Sequence, residues 1–283
     1  MREGIHKNKR KDRRTMIRDI TIGQYYPAES IIHRLDPRVK LVATLVFLVS
    51  LFLFDSFWGY IPALIFLFGI IHVSKVPFNY IVRGLKAVVV LLLFTLVFNI
   101  FLTKGENELV SWKFIHIYEE GLLLAGFMAI RLTMLIIGSS MMTFTTTPNQ
   151  LTDGMERLFS PLKLIKVPVH EVAMMMSIAL RFIPILLEET DKIMKAQQAR
   201  GADFETGNLL KRAKALIPIL VPLFVSAFRR AGDLAMAMEV RCYHGGEGRT
   251  KMKPLRYKGR DAAAYAVLAG YLGVMILVRV YLG

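Results

Sequence analysis

Long uncharged apolar blocks alternate with short charged segments along this chain. Residues 56–74, 87–103, 132–152 and 262–278 contain no Asp, Glu, Lys or Arg. A helix crossing the hydrocarbon core of a bilayer needs roughly 17–25 mostly apolar residues, and these blocks reach that length. The block 41–54 is shorter, but Val39 extends it on one side and Phe57 and Trp58 on the other. The pattern predicts five spans: 39–54, 58–73, 87–102, a fourth ending near the threonines at 143–147, and a fifth after Arg260.

Between 148 and 260 the pattern changes. Two apolar segments, 172–187 and 215–228, run straight into charged helical sequence with no turn signal between. Arg181 sits inside the first, and Pro184, Pro218 and Pro222 lie in the interiors, where proline removes a backbone hydrogen bond. Glu188 and Lys192, and Asp191 and Lys195, are spaced i, i+4 with the acid first, which supports a helix. Arg181, Glu188, Lys192 and Lys195 share one helical face. An apolar stripe beside a charged stripe predicts a long amphipathic helix lying on a membrane surface or against a partner. The alternative, two further spans, places Arg181 and three prolines in lipid.

Charge orients these elements. The chain carries 37 Lys and Arg against 22 acids, net +15, and residues 1–19 alone hold eight bases and three acids. Short basic segments stay in the cytoplasm, so the N-terminus is expected inside. Such a tail, followed by a span, suits anionic lipid heads better than nucleic acid. The loop 74–86 carries Lys75, Arg83 and Lys86 and no acid, which predicts a cytoplasmic loop. The loop 103–120 has two lysines and four acids and is expected outside, and 148–260, at nineteen bases to eleven acids, inside. No secretory signal pattern precedes the first span. With 54% hydrophobic residues and a mean hydropathy of +0.44, a soluble domain is excluded. The fold class is therefore an all-α integral membrane protein of about five transmembrane helices plus long amphipathic cytoplasmic helices. The expected organisation is a basic tail and helix start at 1–38, helices 1–4 at 39–147, a cytoplasmic domain at 148–260 and a last transmembrane helix at 261–283.

Candidate chemistry is sparse. No Gly-Lys-Ser or Gly-Lys-Thr occurs, so the chain does not hydrolyse nucleotides by the Walker mechanism, and Gly245, Gly246 and Gly248 read as a flexible turn. The six histidines lack metal-site spacing, and the single Cys242 excludes an intrachain disulfide. The methionines, Met174 to Met176 and Met236 and Met238 among them, read as adaptable packing, and Asn99 as a helix–helix hydrogen bond. Arg131 is the one charge deep in an apolar block. An intramembrane arginine would be a transport residue by default. If residues 115–130 lie in the interface and the span starts nearer Arg131, that role is not needed, and this is the expectation.

Two helix ends stand out. The first long cytoplasmic helix closes on Gln197-Gln198-Ala199-Arg200-Gly201, and the second on Ala237-Met238-Glu239-Val240-Arg241-Cys242. Glycine suits the left-handed position past a helix end, and a cation in the last turn suits the helix dipole. Small neighbours and an always-charged planar fork also fit docking against a partner's carboxylate.

At these residues the chain resembles the T component of energy-coupling factor transporters. That family carries an Ala-Arg-Gly signature at the ends of two cytoplasmic coupling helices. Here Ala199, Arg200 and Gly201 keep it whole, while Val240, Arg241 and Cys242 keep only the arginine. The resemblance extends to His33-Arg34-Leu35-Asp36-Pro37-Arg38 before the first span, Thr145-Thr146-Thr147-Pro148 after the fourth, and Arg181-Phe182-Ile183-Pro184 with Glu188 and Glu189. It implies a scaffold in a prokaryotic plasma membrane that couples two ABC-type ATPases to a small substrate-binding membrane subunit for vitamin or micronutrient uptake. ATP and magnesium would be bound by the ATPases and no cofactor by this chain, which would be non-catalytic. Arg200 and Arg241 would dock the ATPases, and Asp36, Pro37 and Arg38 would fix the start of the first helix. The segment around Asp36 is most similar to the shared type of scaffold, which serves several interchangeable substrate subunits. A self-contained channel or secondary transporter is the alternative, and Arg131 its only deep charge.

Overall fold

A computed structural model describes residues 25–282 except 55–56, 87, 104–107, 113–114, 205–207, 247–251 and 253. The basic tail at 1–19, the loop charges Lys104, Glu106 and Lys113, and Gly248 and Arg249 lie outside the described residues. The chain divides into two compact units, residues 1–155 with 255–283, and residues 156–254.

In the first unit, α1 (Pro37–Ser50) starts on the N-cap Asp36 with proline at its first position, where the missing N–H is no loss. A 3-10 turn (Phe57–Gly59) leads into α2 (Tyr60–Ser74), which stops at Lys75 in a left-handed conformation. Next come α3 (Phe78–Lys86) and α4 (Val89–Leu102), bent 58° from one another. A hairpin of β1 (Glu108–Trp112) and β2 (Ile115–Tyr118) pairs antiparallel with Trp112 opposite Ile115. It leads into α5 (Glu119–Thr145). A capping box then opens α6 (Pro148–Leu158): Gln150 N–H donates to Thr147 Oγ1 at 3.3 Å and Thr147 N–H to Gln150 Oε1 at 3.2 Å. The last helix of the chain, Gly259–Leu282, completes this unit.

Three expectations are corrected here. The loop 74–86 is largely the helix α3, whose nine residues are too few for a 3.6-residue period to stand out between two spans. The loop 103–120 contains a hairpin, whose strands are too short to stand out against the spans. Finally, the span expected to begin nearer Arg131 belongs to a helix, α5, that already starts at Glu119, so Arg131 lies mid-helix.

The core of this unit joins α1, α2, α5 and the last helix through Phe47, Leu51, Tyr60, Leu67, Phe127, Met134, Tyr271 and Met275. Gly138 makes this possible, because a Cβ there would fall 2.5 Å from the Phe47 ring. Arg131 ties the core: Nε donates to the Tyr60 hydroxyl and an Nη to the Phe54 carbonyl, each at 2.7 Å, and the guanidinium lies 4.7 Å from the Phe127 ring centre. The outward faces of α2 and α4 are apolar and exposed (Ile65, Phe68, Val90 and Leu93), as for helices with lipid as solvent.

In the second unit, a 3-10 helix (Ser160–Ile165) precedes α7 (Val169–Ala199) and α8 (Leu209–Val240). With these named, the last helix is α9 (Gly259–Leu282). Both α7 and α8 continue through their prolines. Pro222 leaves the Pro218 carbonyl without its helical donor, and Gln197 Nε2 on the neighbouring helix reaches that oxygen in a long 3.4 Å bond. Glu189 accepts from Ser226 Oγ at 2.6 Å and from Arg230 at 2.9 Å, so the two helices pair antiparallel. Among the described residues of this unit only Val169, Ala173 and Ile219 are buried apolar side chains, while Val221, Phe224, Val225 and Phe228 are exposed. Of the glycine turn, Gly246 packs on His170, and a Cβ there would overlap the imidazole.

By length and composition five helical stretches qualify as spans: Phe57–Ser74, Glu119–Thr145, Val169–Ala199, Arg212–Val240 and Gly259–Tyr281, with the bent α3–α4 pair a sixth. This set differs from the predicted five. The first predicted span is a helix of only 14 residues, roughly 21 Å long and short of the hydrocarbon thickness. In its place α7 and α8 qualify, because length and mean hydropathy do not register interior prolines or a charged stripe.

Candidate functional site

The ends of α7 and α8 are the same structure. Arg200 caps α7, Gly201 follows at φ +89°, and the N–H groups of Gly201 and Ala202 donate to the Gln198 and Gln197 carbonyls, both at 3.0 Å. Arg241 caps α8, Cys242 follows at φ +55°, and the N–H groups of Cys242 and Tyr243 donate to Glu239 at 2.8 Å and Met238 at 3.0 Å. Each is a complete Schellman motif, which satisfies carbonyls the helix leaves open. Cysteine takes the place that the sequence pattern reserves for glycine.

Both arginines are exposed and neither makes an ion pair among the described residues. Ala199, Gly201, Val240 and Cys242 beside them are exposed too, Val240 at 78%. Because α7 and α8 are antiparallel, Arg200 and Arg241 stand at opposite ends of the pair, roughly 40 Å apart at 1.5 Å per residue. Each end presents a charged fork with small or apolar flanks and no ion-pair partner among the described residues of its own unit.

The start of α1 is built differently. Asp36 Oδ1 accepts from the backbone N–H of Arg38 at 2.9 Å and from Arg38 Nε at 3.0 Å, and Oδ2 from an Arg38 Nη at 2.9 Å. Burial acts to raise the Asp36 carboxyl, but the Arg38 hydrogen bonds and charge outweigh it and hold it below the usual carboxylate range. Pro37 is buried against α6, where Gly154 leaves room for it. The Arg38 guanidinium lies 3.8 Å from the Tyr257 ring centre.

Sequence reasoning missed the partners of this knot. Asp261, 225 residues away, accepts from the Asp36 N–H at 2.8 Å and from the Lys258 N–H at 2.8 Å. Buried Lys40 donates to the carbonyls of His33 at 3.1 Å and Thr145 at 2.7 Å. The available signal was the last charge before each apolar block, Lys40 at the first span and Asp261 at the last. The knot fixes where α1, α5 and α9 meet, and most of its polar groups are bonded within it, as expected of a structural element.

No group of three or more His, Cys, Asp or Glu that could hold a metal occurs among the described residues. The sequence profile of the family described as cobalt transport protein, CbiQ, matches residues 28–252. The chain is 57% identical over 269 residues to an energy-coupling factor transporter transmembrane protein EcfT of Clostridium kluyveri, covering 95% of this chain and 100% of the relative. It belongs to the energy-coupling factor T-component family. EcfT of Ruminiclostridium cellulolyticum is 51% identical across 93% of this chain and 98% of its own length, and EcfT of Bacillus subtilis 46% across 93% and 100%. As a T component, the chain is a membrane-embedded part of a transporter. Within that frame the doubled Schellman end is the feature that its bundle of helices does not itself use.

Proposed function

We propose that this chain is the coupling subunit of an ATP-driven importer of the vitamin or micronutrient class. It joins two ABC-type ATPases, which bind ATP and magnesium, to one or more interchangeable substrate-binding membrane subunits, and itself catalyses nothing. The observation that carries this reading is the pair of equivalent, exposed arginines closing α7 and α8, neither in an ion pair among the described residues. Residues 148–260 form the cytoplasmic coupling domain, the N-terminus is inside, and Arg200 and Arg241 each enter a groove on one ATPase. Closure of the ATPases then moves the two helix ends. The pair transmits that motion to the substrate subunit along the exposed apolar faces around Val221, Phe224 and Phe228, which the 156–254 unit leaves uncovered. A channel reading gains nothing from Arg131, whose guanidinium is engaged by Tyr60 and Phe54.

The test is ATPase retention and ATP-driven uptake by Arg200→Ala, Arg241→Ala and the double variant in vesicles. Loss of both ATPases in the double variant is expected. A double variant that holds both ATPases and transports normally overturns the docking assignment.

A further inference from the structure

The membrane unit contains a cavity of about 510 Å³ between α1, α2, α5 and α9, separate from the arginine ends of α7 and α8. Small residues on all four helices make it: Ala43, Gly69, Gly138 and Ala264 line it where larger side chains would close it. Its volume is that of a small-molecule site, and its wall is almost entirely apolar. Ile31, Val73 and Val267 line it and are themselves exposed, so the cavity opens at the outer surface of the helices.

One end is different. Lys40 and Arg260 both line the cavity where α1 and α9 begin. Lys40 is 6% exposed, and two carbonyls take two of its three ammonium protons. The carboxylates of Asp36 and Asp261 act on its charge, but neither forms a direct ion pair with it among the described residues. From that end the groove follows α1 as far as Phe47, roughly 10 Å along the helix. Apart from Lys40 and Arg260 only Thr44 and Thr145 among the lining side chains carry polar groups, so water has few partners in such a space.

We propose that the cavity seats an acyl chain of one anionic phospholipid, with its phosphate held at the Lys40–Arg260 end. Both halves of the ligand are specified by what lines the cavity: an apolar tail for the small-residue channel, and a negative head for two cations. A bilayer surrounding these helices supplies that amphiphile at high local concentration. The bound chain fills the gap between α1, α2 and α9 and so becomes part of the packing of the unit.

The experiment uses the full chain with its co-purifying partners, reconstituted in equal phosphatidylglycerol and phosphatidylcholine. The complex is then extracted in mild detergent and weighed by native mass spectrometry. The wild type is expected to retain one phosphatidylglycerol. Gly69→Leu is expected to lose it while keeping the partner proteins, since a Cβ at Gly69 meets nothing within 4 Å and the longer side chain can enter the cavity without a clash. Ala264→Leu fills the same space from α9 and should act alike. Arg260→Gln should keep a lipid but lower the preference for phosphatidylglycerol about fivefold, the effect of one surface cation. A wild type without retained lipid, or equal retention in both filled variants, overturns the proposal. So does release of a membrane protein by the filled variants with the lipid count unchanged, which assigns the cavity to a protein partner.

Discussion

Gly201 and Cys242 occupy the same left-handed position one residue past an arginine, at φ +89° and +55°, in two copies of one helix-ending motif. Glycine adopts that conformation freely, whereas a residue with a Cβ bears a steric penalty of roughly 1–2 kcal/mol. Cys242→Gly is therefore expected to firm the end of α8 by about 1 kcal/mol, and Gly201→Ala to loosen α7 by a similar amount. Amide hydrogen exchange over residues 238–243 and 197–202 reads both changes. Faster exchange at 238–243 in Cys242→Gly would mean that the cysteine side chain stabilises the turn through contacts that outweigh the strain.

The same pair of positions marks how far the sequence reached. Gly201 declares a left-handed cap by its identity; Cys242 does not, and only the paired hydrogen bonds reveal the second motif. The apolar blocks gave the membrane class, α2, α5 and α9, because a span is a property of consecutive residues. The knot of Asp36, Arg38 and Asp261 was half legible: the N-cap and proline are local, but the Asp261 contact bridges 225 residues. Arg131 was placed by its depth in a block, yet its role depends on Tyr60 and Phe54, which come next to it only when α1, α2 and α5 pack.

His33 and Asp36 both make the start of α1 less stable as pH falls. Burial is the largest cause lowering His33 below 6.5, with the charge of Lys40 adding to it and the Tyr26 carbonyl opposing. Since that carbonyl can only accept, Nε2 carries the proton, and Nδ1 accepts from Ser30 at 2.7 Å in the neutral ring. The unfolded chain thus takes up a proton below pH 6.5 that the folded chain resists, so stability falls with pH from there until the folded value is passed. Asp36, held below 3.8, contributes stability above that value and loses it as pH falls through its folded value. Thermal unfolding across pH should show two declines, one beginning near 6.5 and one below 3.8. His33→Gln should remove the first; its persistence would place the cause in another group.

Arg131 is expected to matter for folding and not for the transport path. Its removal leaves the Phe54 carbonyl and the Tyr60 hydroxyl without a buried charged donor, a loss of about 2–4 kcal/mol. Arg131→Met should lower the unfolding temperature and the yield of folded protein, and Arg131→Lys should recover part of both. Uptake per folded molecule should stay close to wild type. A variant that folds normally but does not transport would instead give Arg131 a place in the path.

Cys242 is the chain's single cysteine and it is exposed, which makes it a native reporter of sidedness. A membrane-impermeant maleimide should leave it unmodified in intact cells and modify it in inverted vesicles stripped of peripheral proteins. Modification from outside would put the end of α8 on the wrong side for ATPases. An added cysteine at Gly246 would serve badly, because its Cβ would overlap the His170 ring and disturb the turn being probed.

The sizes of effect at Arg200 and Arg241 separate docking from capping. In both motifs the cap bonds run through backbone N–H groups, so truncating either arginine leaves the Schellman geometry in place. If the arginines only complement the helix dipole, each Arg→Ala change should cost about 0.3–1 kcal/mol of local stability and leave assembly intact. If each guanidinium is buried against a carboxylate of an ATPase, its loss strands that carboxylate, and affinity should drop about 30-fold to several thousand-fold per site. Arg→Lys should recover only part of the binding, because an ammonium cannot reproduce a two-pronged bond to a carboxylate. The two sites lie at opposite ends of the α7–α8 pair and share no side-chain partner among the described residues, so their effects should add. Titrating purified ATPase onto vesicles holding each single variant, the double variant and the two lysine variants measures all of this in one series. Near-equal affinity across the series would leave the arginines as helix caps and move the docking surface elsewhere on the chain.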